Sequence, residues 1–168
     1  KKKLIIATQY NKFHILIHWL VVLSILLQMI SGDKIASEFL AHRNDPIANE
    51  EGTSNSQIHI LGGLFIFLLM AIRVFLRIKF GVPVPTKETN SLLKRLSAFV
   101  HLGIYLVLFA IPLTGLAAFL TLNFDLGLAH KVLVNILYVF VITHLIGVAY
   151  HQVFLGDNIM QRITSWKS

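Results

Sequence analysis

Four long runs of apolar residues, separated by shorter polar segments, dominate the pattern of the chain. They cover about residues 13–31, 58–78, 96–122 and 128–155. A helix needs roughly 20 mainly apolar residues to cross the hydrocarbon core of a bilayer, and each run reaches that length or nearly so. Inside lipid the backbone must satisfy its own hydrogen bonds, so such segments are predicted to be helices. The pattern therefore predicts an all-α fold, an integral membrane four-helix bundle that forms a single domain over residues 1–168.

The composition supports a lipid environment and narrows the chemistry. Apolar residues make up 55% of the chain and charged residues only 14%, with a mean hydropathy of +0.71. Soluble domains usually carry about 25% charged residues. The absence of cysteine excludes disulfides, thiolate metal sites and iron–sulfur clusters. The net charge of +7 does not indicate nucleic acid as a partner, because the basic residues lie in short segments between the apolar runs.

The 15 Lys and Arg residues are divided unequally between the two ends of the predicted bundle. One end carries Lys1, Lys2, Lys3, Lys12, Arg73, Arg77, Lys79, Lys87, Lys94, Arg95, Arg162 and Lys167. The other end carries Lys34, Arg43 and Lys131. The positive-inside rule therefore predicts cytoplasmic termini and an outer loop over residues 32–57, which is mildly acidic. Lys1 to Lys3 could instead open a signal peptide, but the first apolar run is long and no clear cleavage site follows it.

Histidines at ordered depths are the main candidates for chemistry. Ionisable side chains inside a membrane are costly, so they are candidates for function. In the fourth run, His130 and His144 are 14 residues apart. That spacing is close to four helical turns, so both side chains share one face and lie about 21 Å apart along the axis. The spacing predicts two stacked sites in one bundle, one in its outer and one in its inner half.

Each site has a second histidine at a matching depth. His59 lies at the outer start of the second run, level with His130. His18 lies about 9 Å into the first run from the inner side, roughly level with His144. Two imidazoles on opposite faces of an iron porphyrin leave no open position, which suits electron transfer. We therefore predict two haems b held between the helices, with His14 as an alternative to His18 because it lies one turn earlier.

Further polar residues cluster at the inner end. Arg73 and Arg77 are placed to bind haem propionates, although snorkelling towards the inner surface would explain them equally well. His101 and His151 lie at the depth of a quinone headgroup beside the inner haem. There they could hydrogen-bond a quinone carbonyl and deliver protons, or simply contact water at the interface.

Several segments in order resemble the prokaryotic cytochrome b561 family, and the match covers nearly the whole chain. They are His18-Trp19, Gln57 to His59 with Gly62, Arg73 with Arg77, His101 to Tyr105 with Pro112 and Gly115, then His130, His144 and His151, and finally Asp157-Asn158. The resemblance implies haem ligation by His18, His59, His130 and His144, and a quinone, ubiquinone or another, near His101 and His151. It also implies a multi-pass protein of the bacterial inner membrane.

The resemblance leaves four functional hypotheses open. The leading one is an oxidoreductase that moves electrons between a redox partner at the outer face and the quinone pool. The second is superoxide oxidation coupled to ubiquinone reduction, which the acidic outer loop and Ala129, where a tryptophan is expected, do not favour. The third is an electron-relay subunit of a membrane dehydrogenase or hydrogenase. The fourth is a four-helix transporter or scaffold without redox chemistry.

Overall fold

The computed structural model describes residues 10–44, 54–81, 90–156 and 159–164. These residues form five helices: α1 Lys12–Asn44, α2 Ser54–Phe80, α3 Ser91–Thr121, α4 Phe124–Val153 and α5 Ile159–Thr164. The first four are long and apolar enough to cross a membrane, which confirms the all-α membrane bundle. The expectations for Lys1 to Lys3 and for Asp157-Asn158 lie outside the described residues.

The helices pack in chain order, α1 against α2, α2 against α3 and α3 against α4, while α5 contacts α4. The core between them is small and consists of Ile17, Val21, Ile66, Leu69, Met70, Val107, Leu108 and Leu137. Large apolar side chains instead cover the outside, as Ile30 and Ile78 show with exposed fractions of 77% and 80%. Soluble proteins rarely expose contiguous apolar surface on this scale, so lipid is the surrounding medium.

Helix α1 is longer than the predicted first span and turns much of the predicted outer loop into helix. It continues to Asn44, and α2 already begins at Ser54. Contacts at the outer end accompany this extension: Ser56 donates a hydrogen bond to Glu38, and Phe39 lies against the first turn of α4 at Gly127. The expectation of a loop over residues 32–57 was therefore wrong for residues 32–44 and 54–57.

The turn between α3 and α4 consists of two residues, Leu122 and Asn123. Leu122 adopts a left-handed conformation, with φ of 50°, and its N–H donates to Ala118 O. Asn123 then caps α4, because its Oδ1 accepts from the N–H groups of Asp125 and Leu126 at 2.9 and 3.2 Å. Helix α4 consequently runs from Phe124 to Val153, whereas the predicted fourth span covered residues 128–155.

Two histidine clusters in the helix bundle

One cluster lies at the end of the bundle that the sequence predicts to face outward and is called the outer cluster; it consists of His59, near the start of α2, and His130, in the second turn of α4. The structure brings these side chains together, with ring centroids 6.3 Å apart and ring planes at 70°. Two metal–nitrogen bonds of about 2 Å each, together with the two ring radii, place imidazole centroids roughly 6 Å apart. The spacing of the two rings therefore fits one metal ion between them.

Hydrogen bonds fix which nitrogen of each outer imidazole is free. His130 Nδ1 lies 2.9 Å from Ile111 O, and a carbonyl only accepts, so Nδ1 carries the proton. His59 Nδ1 lies 3.0 Å from Ser31 Oγ, whose hydroxyl donates to Gln28 O at 3.1 Å. The Ser31 oxygen therefore accepts from His59 Nδ1. Both rings keep Nε2 as a lone-pair donor, the arrangement found when a metal-binding histidine is oriented by a second hydrogen bond.

Gly115 on α3 makes room for the His130 ring. A Cβ added at Gly115 would lie 2.8 Å from Cε1 and Nδ1 of His130, closer than real Cβ contacts. The neighbouring Thr114 hydroxyl donates to Ala110 O and Ile111 O. Helix α3 thus presents the bare backbone of Gly115 and the carbonyl of Ile111 to the imidazole.

The inner cluster surrounds a cavity of about 280 Å³. Five histidines line this cavity: His14, His18, His101, His144 and His151. They come from α1, α3 and α4, so the bundle collects at one place every histidine that the sequence assigned to the inner haem or to the quinone.

One contact within the inner cluster was not foreseen. The ring of His101 lies 5.0 Å from the ring of His144, at 84°. His101 Nδ1–H donates to Ser97 O at 2.6 Å, which leaves Nε2 of His101 free. His18 lines the same cavity, and its ring contacts Trp19 at 5.5 Å. His101 therefore contacts His144 directly, and His18 shares the cavity with both.

His14 is more enclosed than the other histidines of the cavity. Its side chain is only 5% exposed and lies against Tyr10 and Phe80, at ring distances of 5.6 and 6.4 Å. Its Nε2 is buried and has no hydrogen-bond partner among the described residues. A buried nitrogen of this kind is costly unless something binds it, so His14 stays an alternative to His18.

Arg73 brings a second unsatisfied polar group to the cavity. Its Nε donates to Tyr105 Oη at 3.1 Å, and the guanidinium of Arg77 lies 5.8 Å from the centre of the Tyr105 ring. Arg73 Nη1 is buried without a hydrogen-bond partner in the described part of the chain. A buried guanidinium N–H left unpaired costs free energy, and an anionic group in the cavity would satisfy it. The donor set therefore fits a carboxylate-bearing group such as haem.

Helix α5 and Tyr10 form part of the wall of the cavity. Ile159, Met160, Arg162 and Ile163 line the cavity, and Trp19 Nε1 donates to Ile163 O at 2.9 Å. Burial raises the pKa of the Tyr10 hydroxyl above its usual value, although Arg73 and Arg77 act in the opposite direction. Tyr10 is therefore protonated at neutral pH and able to donate a hydrogen bond.

Sequence reasoning missed Tyr105, Ser31 and α5 as parts of the two clusters. Tyr105 and Trp19 belong to segments that resemble the family, but the sequence predicts no contact for either side chain. Ser31 is the last residue of the predicted first span, and nothing in the sequence around it indicates a hydrogen bond with His59. The six residues of α5 are too few for a periodic pattern to show.

With the fold and both clusters described, comparison with known proteins assigns the class. A family model for prokaryotic cytochrome b561 matches residues 9–166, and the chain belongs to this family. It is therefore a multi-pass bacterial membrane cytochrome, and the family name implies haem b and electron transport.

Two relatives align over nearly the full chain. The first, described as "Cytochrome b562" of Cereibacter sphaeroides, is 21% identical over 154 residues, which cover 92% of this chain and 94% of the relative. The second, described as "Probable superoxide oxidase CybB" of Yersinia pestis, is 27% identical over 177 residues, with coverages of 92% and 95%.

Proposed function

We propose that this membrane cytochrome holds two haems b and transfers electrons between a redox partner at the outer face and a quinone at the inner cavity. The observation that carries the proposal is the outer pair. His59 and His130 have ring centroids 6.3 Å apart, and hydrogen bonds through Nδ1 leave both Nε2 atoms free to bind iron.

For the inner haem, we assign His18 and His144 as the axial residues, with Arg73 and Arg77 beside the propionates. All but Arg77 line the cavity, and the unpartnered Nη1 of Arg73 supplies a reason for an anion there. A haem with two axial imidazoles supplies a one-electron centre without an open coordination position. The protein's own part is to fix the imidazoles, pair the carboxylates and exclude water.

We assign the quinone to the same end of the bundle, near His101 and His151. Reduction of a quinone consumes two electrons and two protons, so its site needs groups that donate hydrogen bonds and pass protons. His101 and His151 line the cavity together with Tyr10, and Lys94 and Arg162 are also among its lining residues. Their position near the charged inner end supports proton exchange with water on that side.

The test is a haem count on the purified protein. Pyridine haemochrome analysis is expected to return about two haems b per chain. Addition of a reduced quinone is expected to reduce both haems in a rapid-mixing experiment. A count near one, or a fully haem-loaded protein that does not react with any quinol, would contradict the proposal.

Superoxide oxidation is a second candidate, supported by the similarity to the relative named as a superoxide oxidase. Each superoxide would give up one electron at the outer cluster and leave as dioxygen, so two would reduce one quinone. Glu38 and Asp125 lie at the outer end and would repel an anion. Stopped-flow mixing with superoxide decides the point: fast haem reduction that slows as salt rises would favour this activity.

We also propose that the protein lies in the inner membrane with both termini in the cytoplasm. The unequal distribution of Lys and Arg supports this orientation. A reporter fused after Ser168 is expected to be active only in its cytoplasmic form, and one inserted after Asn44 only in its external form. An external C-terminus would invert the assignment of the two clusters to the two faces.

A further inference from the structure

A single amide on α4 faces away from the bundle at the middle of the membrane. Asn135 lies about 5 Å from the midpoint of the helix, and its side chain is exposed. Its amide has no hydrogen-bond partner among the residues that the structure describes. The hydroxyls of Thr114 and Thr143, in contrast, donate to carbonyls of their own helices. An amide exposed to hydrocarbon is costly, so something polar is expected to meet Asn135.

Neither histidine cluster supplies that partner. At 100° per residue, Asn135 points about 140° away from His130 and about 180° away from His144 around the axis of α4. The face that carries Asn135 is therefore opposite the face that carries the candidate haem ligands. A cofactor bound inside the bundle therefore cannot reach this amide, which still faces lipid.

The residues around Asn135 form a regular seam along the outside of α4. Its positions alternate in steps of three and four residues, which is the heptad spacing of helices that pack in pairs. Every one of them is exposed. The seam consists of Leu128, Val132, Asn135, Val139, Ile142, Ile146, Ala149 and Val153.

Two features separate this seam from an ordinary lipid-facing surface. One set of alternate positions is β-branched throughout, with Val132, Val139, Ile146 and Val153, as at one of the two core positions of parallel helix pairs. The other set contains the one amide, Asn135. A single polar residue in an apolar helix seam fixes which residues face each other, because its amide must meet a polar group across the interface.

We propose that the α4 seam is a dimer interface at which a second copy of this chain packs in parallel through the same seam. Two copies in one membrane share the same orientation, so a two-fold axis along the membrane normal brings Asn135 opposite the Asn135 of the second copy. An amide both donates and accepts, so two identical amides satisfy each other. This self-complementarity selects a second copy over a partner of unrelated sequence, and interhelical amide pairs of this kind stabilise membrane helices.

The chain is well suited to a cross-linking test because it contains no cysteine. Ile142→Cys places a thiol on the seam, one heptad after Asn135, at a position that is 57% exposed. Leu106→Cys is the matched control, because Leu106 lies at the middle of α3 and is 61% exposed. Each variant is reconstituted alone into liposomes, so that the only available partner is another copy, and is then oxidised.

The seam variant is expected to give a covalent dimer at least several-fold faster than the control. Adding Asn135→Leu to Ile142→Cys is expected to lower dimer formation by about three- to tenfold, while Asn135→Gln, which keeps an amide, retains most of it. The haem spectrum is recorded for every variant and is expected to be unchanged, which confirms that each one folds.

Equal cross-linking of the two single-cysteine variants would overturn the proposal, since it would reflect random collisions in the bilayer. Insensitivity to Asn135→Leu would overturn it as well. A cross-link from Ile142→Cys to a different protein in native membranes, with no dimer in liposomes, would also overturn the proposal. It would show that the seam binds a partner subunit instead of a second copy. If the purified wild-type protein contained no haem, the proposed function would be wrong, but the cross-linking result would still decide whether the seam is a dimer interface.

Discussion

The two histidine clusters differ in how much of their geometry the protein itself fixes. In the outer cluster, Ser31 and the Ile111 carbonyl hold both imidazoles by Nδ1, and Gly115 leaves no spare room beside His130. The inner cluster is a cavity with five histidines, and buried atoms of His14 and Arg73 there have no partner among the described residues. In the outer cluster each Nδ1 is held by a protein hydrogen bond and only the Nε2 atoms are free, whereas the inner cluster also contains buried polar atoms without a partner.

This difference indicates two kinds of task. A site that holds one cofactor in one position gains from pre-set tautomers and close packing, because its ligands need no reorganisation. A site that must hold a cofactor and also exchange a substrate needs more space and more polar groups than the cofactor alone uses. The inner cluster has that surplus, and residues of the short helix α5 line its cavity. We therefore expect substitutions in the outer cluster to change haem content and substitutions in the inner cluster to change both haem and quinone reactions.

The largest expected effect is the loss of one haem without the other. His130→Ala or His59→Ala is expected to lower the haem content from about two to about one per chain, because an axial imidazole is lost. His144→Ala or His18→Ala is expected to remove the other haem. Pyridine haemochrome analysis measures the number, and the reduced spectrum shows which of the two bands is lost. Loss of both haems from one substitution would show that the clusters do not act separately.

His14 supplies a sharper control within the inner cluster. It lines the same cavity as His18 and lies on the same helix, one turn away. If His18 is the ligand, His14→Ala keeps about two haems, although packing near Phe80 is lost. If His14→Ala removes the inner haem and His18→Ala does not, our assignment on α1 is wrong. His101→Ala extends the test, because the ring of His101 contacts His144 directly.

A smaller but more selective effect is expected from Gly115→Ala. The added methyl group would meet the His130 ring at 2.8 Å and force the ring or the helix to move. Overpacking of this kind costs about 1–3 kcal/mol, so haem binding at the outer cluster is expected to weaken by about tenfold or more. Gly63→Ala is the matched control, since its Cβ would meet Pro112 at an ordinary 3.9 Å. Equal haem content in the two variants would contradict the tight fit of His130.

The sequence alone was sufficient for the histidines of both clusters but not for their hydrogen-bond partners or their internal geometry. The 14-residue spacing of His130 and His144 follows from helical periodicity, and depth matching added His59 and His18. The partner of His130 Nδ1, however, is a carbonyl of α3 that lies 19 positions away along the chain. Which carbonyl faces an imidazole depends on how two helices rotate against each other, and apolar spacing leaves that rotation open.

The same reasoning explains the errors in the fold. Residues 32–44 contain Gly32, Asp33 and Lys34 near their start and no long apolar run, so their pattern predicts a loop. In the structure they continue α1, where Glu38 and Phe39 contact α2 and α4. Tertiary contacts of this kind override local pattern, and a single sequence does not reveal them.

Quinone reactions at the inner cluster are expected to change while the haem spectrum does not. His151→Ala is expected to slow haem reduction by quinol by at least about tenfold, because a positioned group that transfers protons contributes about 10²- to 10⁴-fold to the step it catalyses. His101→Ala has the same expected outcome if His101 serves the quinone rather than the haem. Stopped-flow mixing with a soluble quinol measures both rates. Wild-type rates in both variants would place the quinone elsewhere on the bundle.

Removal of the charge at Arg73 is expected to shift one haem potential and leave the other in place. Arg73→Gln takes away a cation beside the inner cavity. Without this cation, the reduced haem, which is the more negative form, is stabilised less well. A loss of about 1.4 kcal/mol corresponds to about 60 mV for a one-electron couple, so a downward shift of that order is expected. Tyr105→Phe removes only the acceptor of Arg73 Nε and is the milder control. A redox titration with two resolved components checks both variants.

The smallest expected effect concerns the short helix over the inner cavity. Trp19→Phe keeps an aromatic ring on α1 but removes the indole N–H that donates to Ile163 O at 2.9 Å. A single hydrogen bond contributes about 0.5–1.5 kcal/mol, so α5 is expected to separate from α1 about 2- to 13-fold more often. Hydrogen exchange of the α5 amides is expected to rise by that factor, and quinol is expected to reduce the inner haem more readily at low concentration. The outer cluster has no contact with α5 in the described residues, so its haem content and potential are expected to stay unchanged. An equal change at both haems would show that Trp19 acts through the whole bundle rather than through the cover of one cavity.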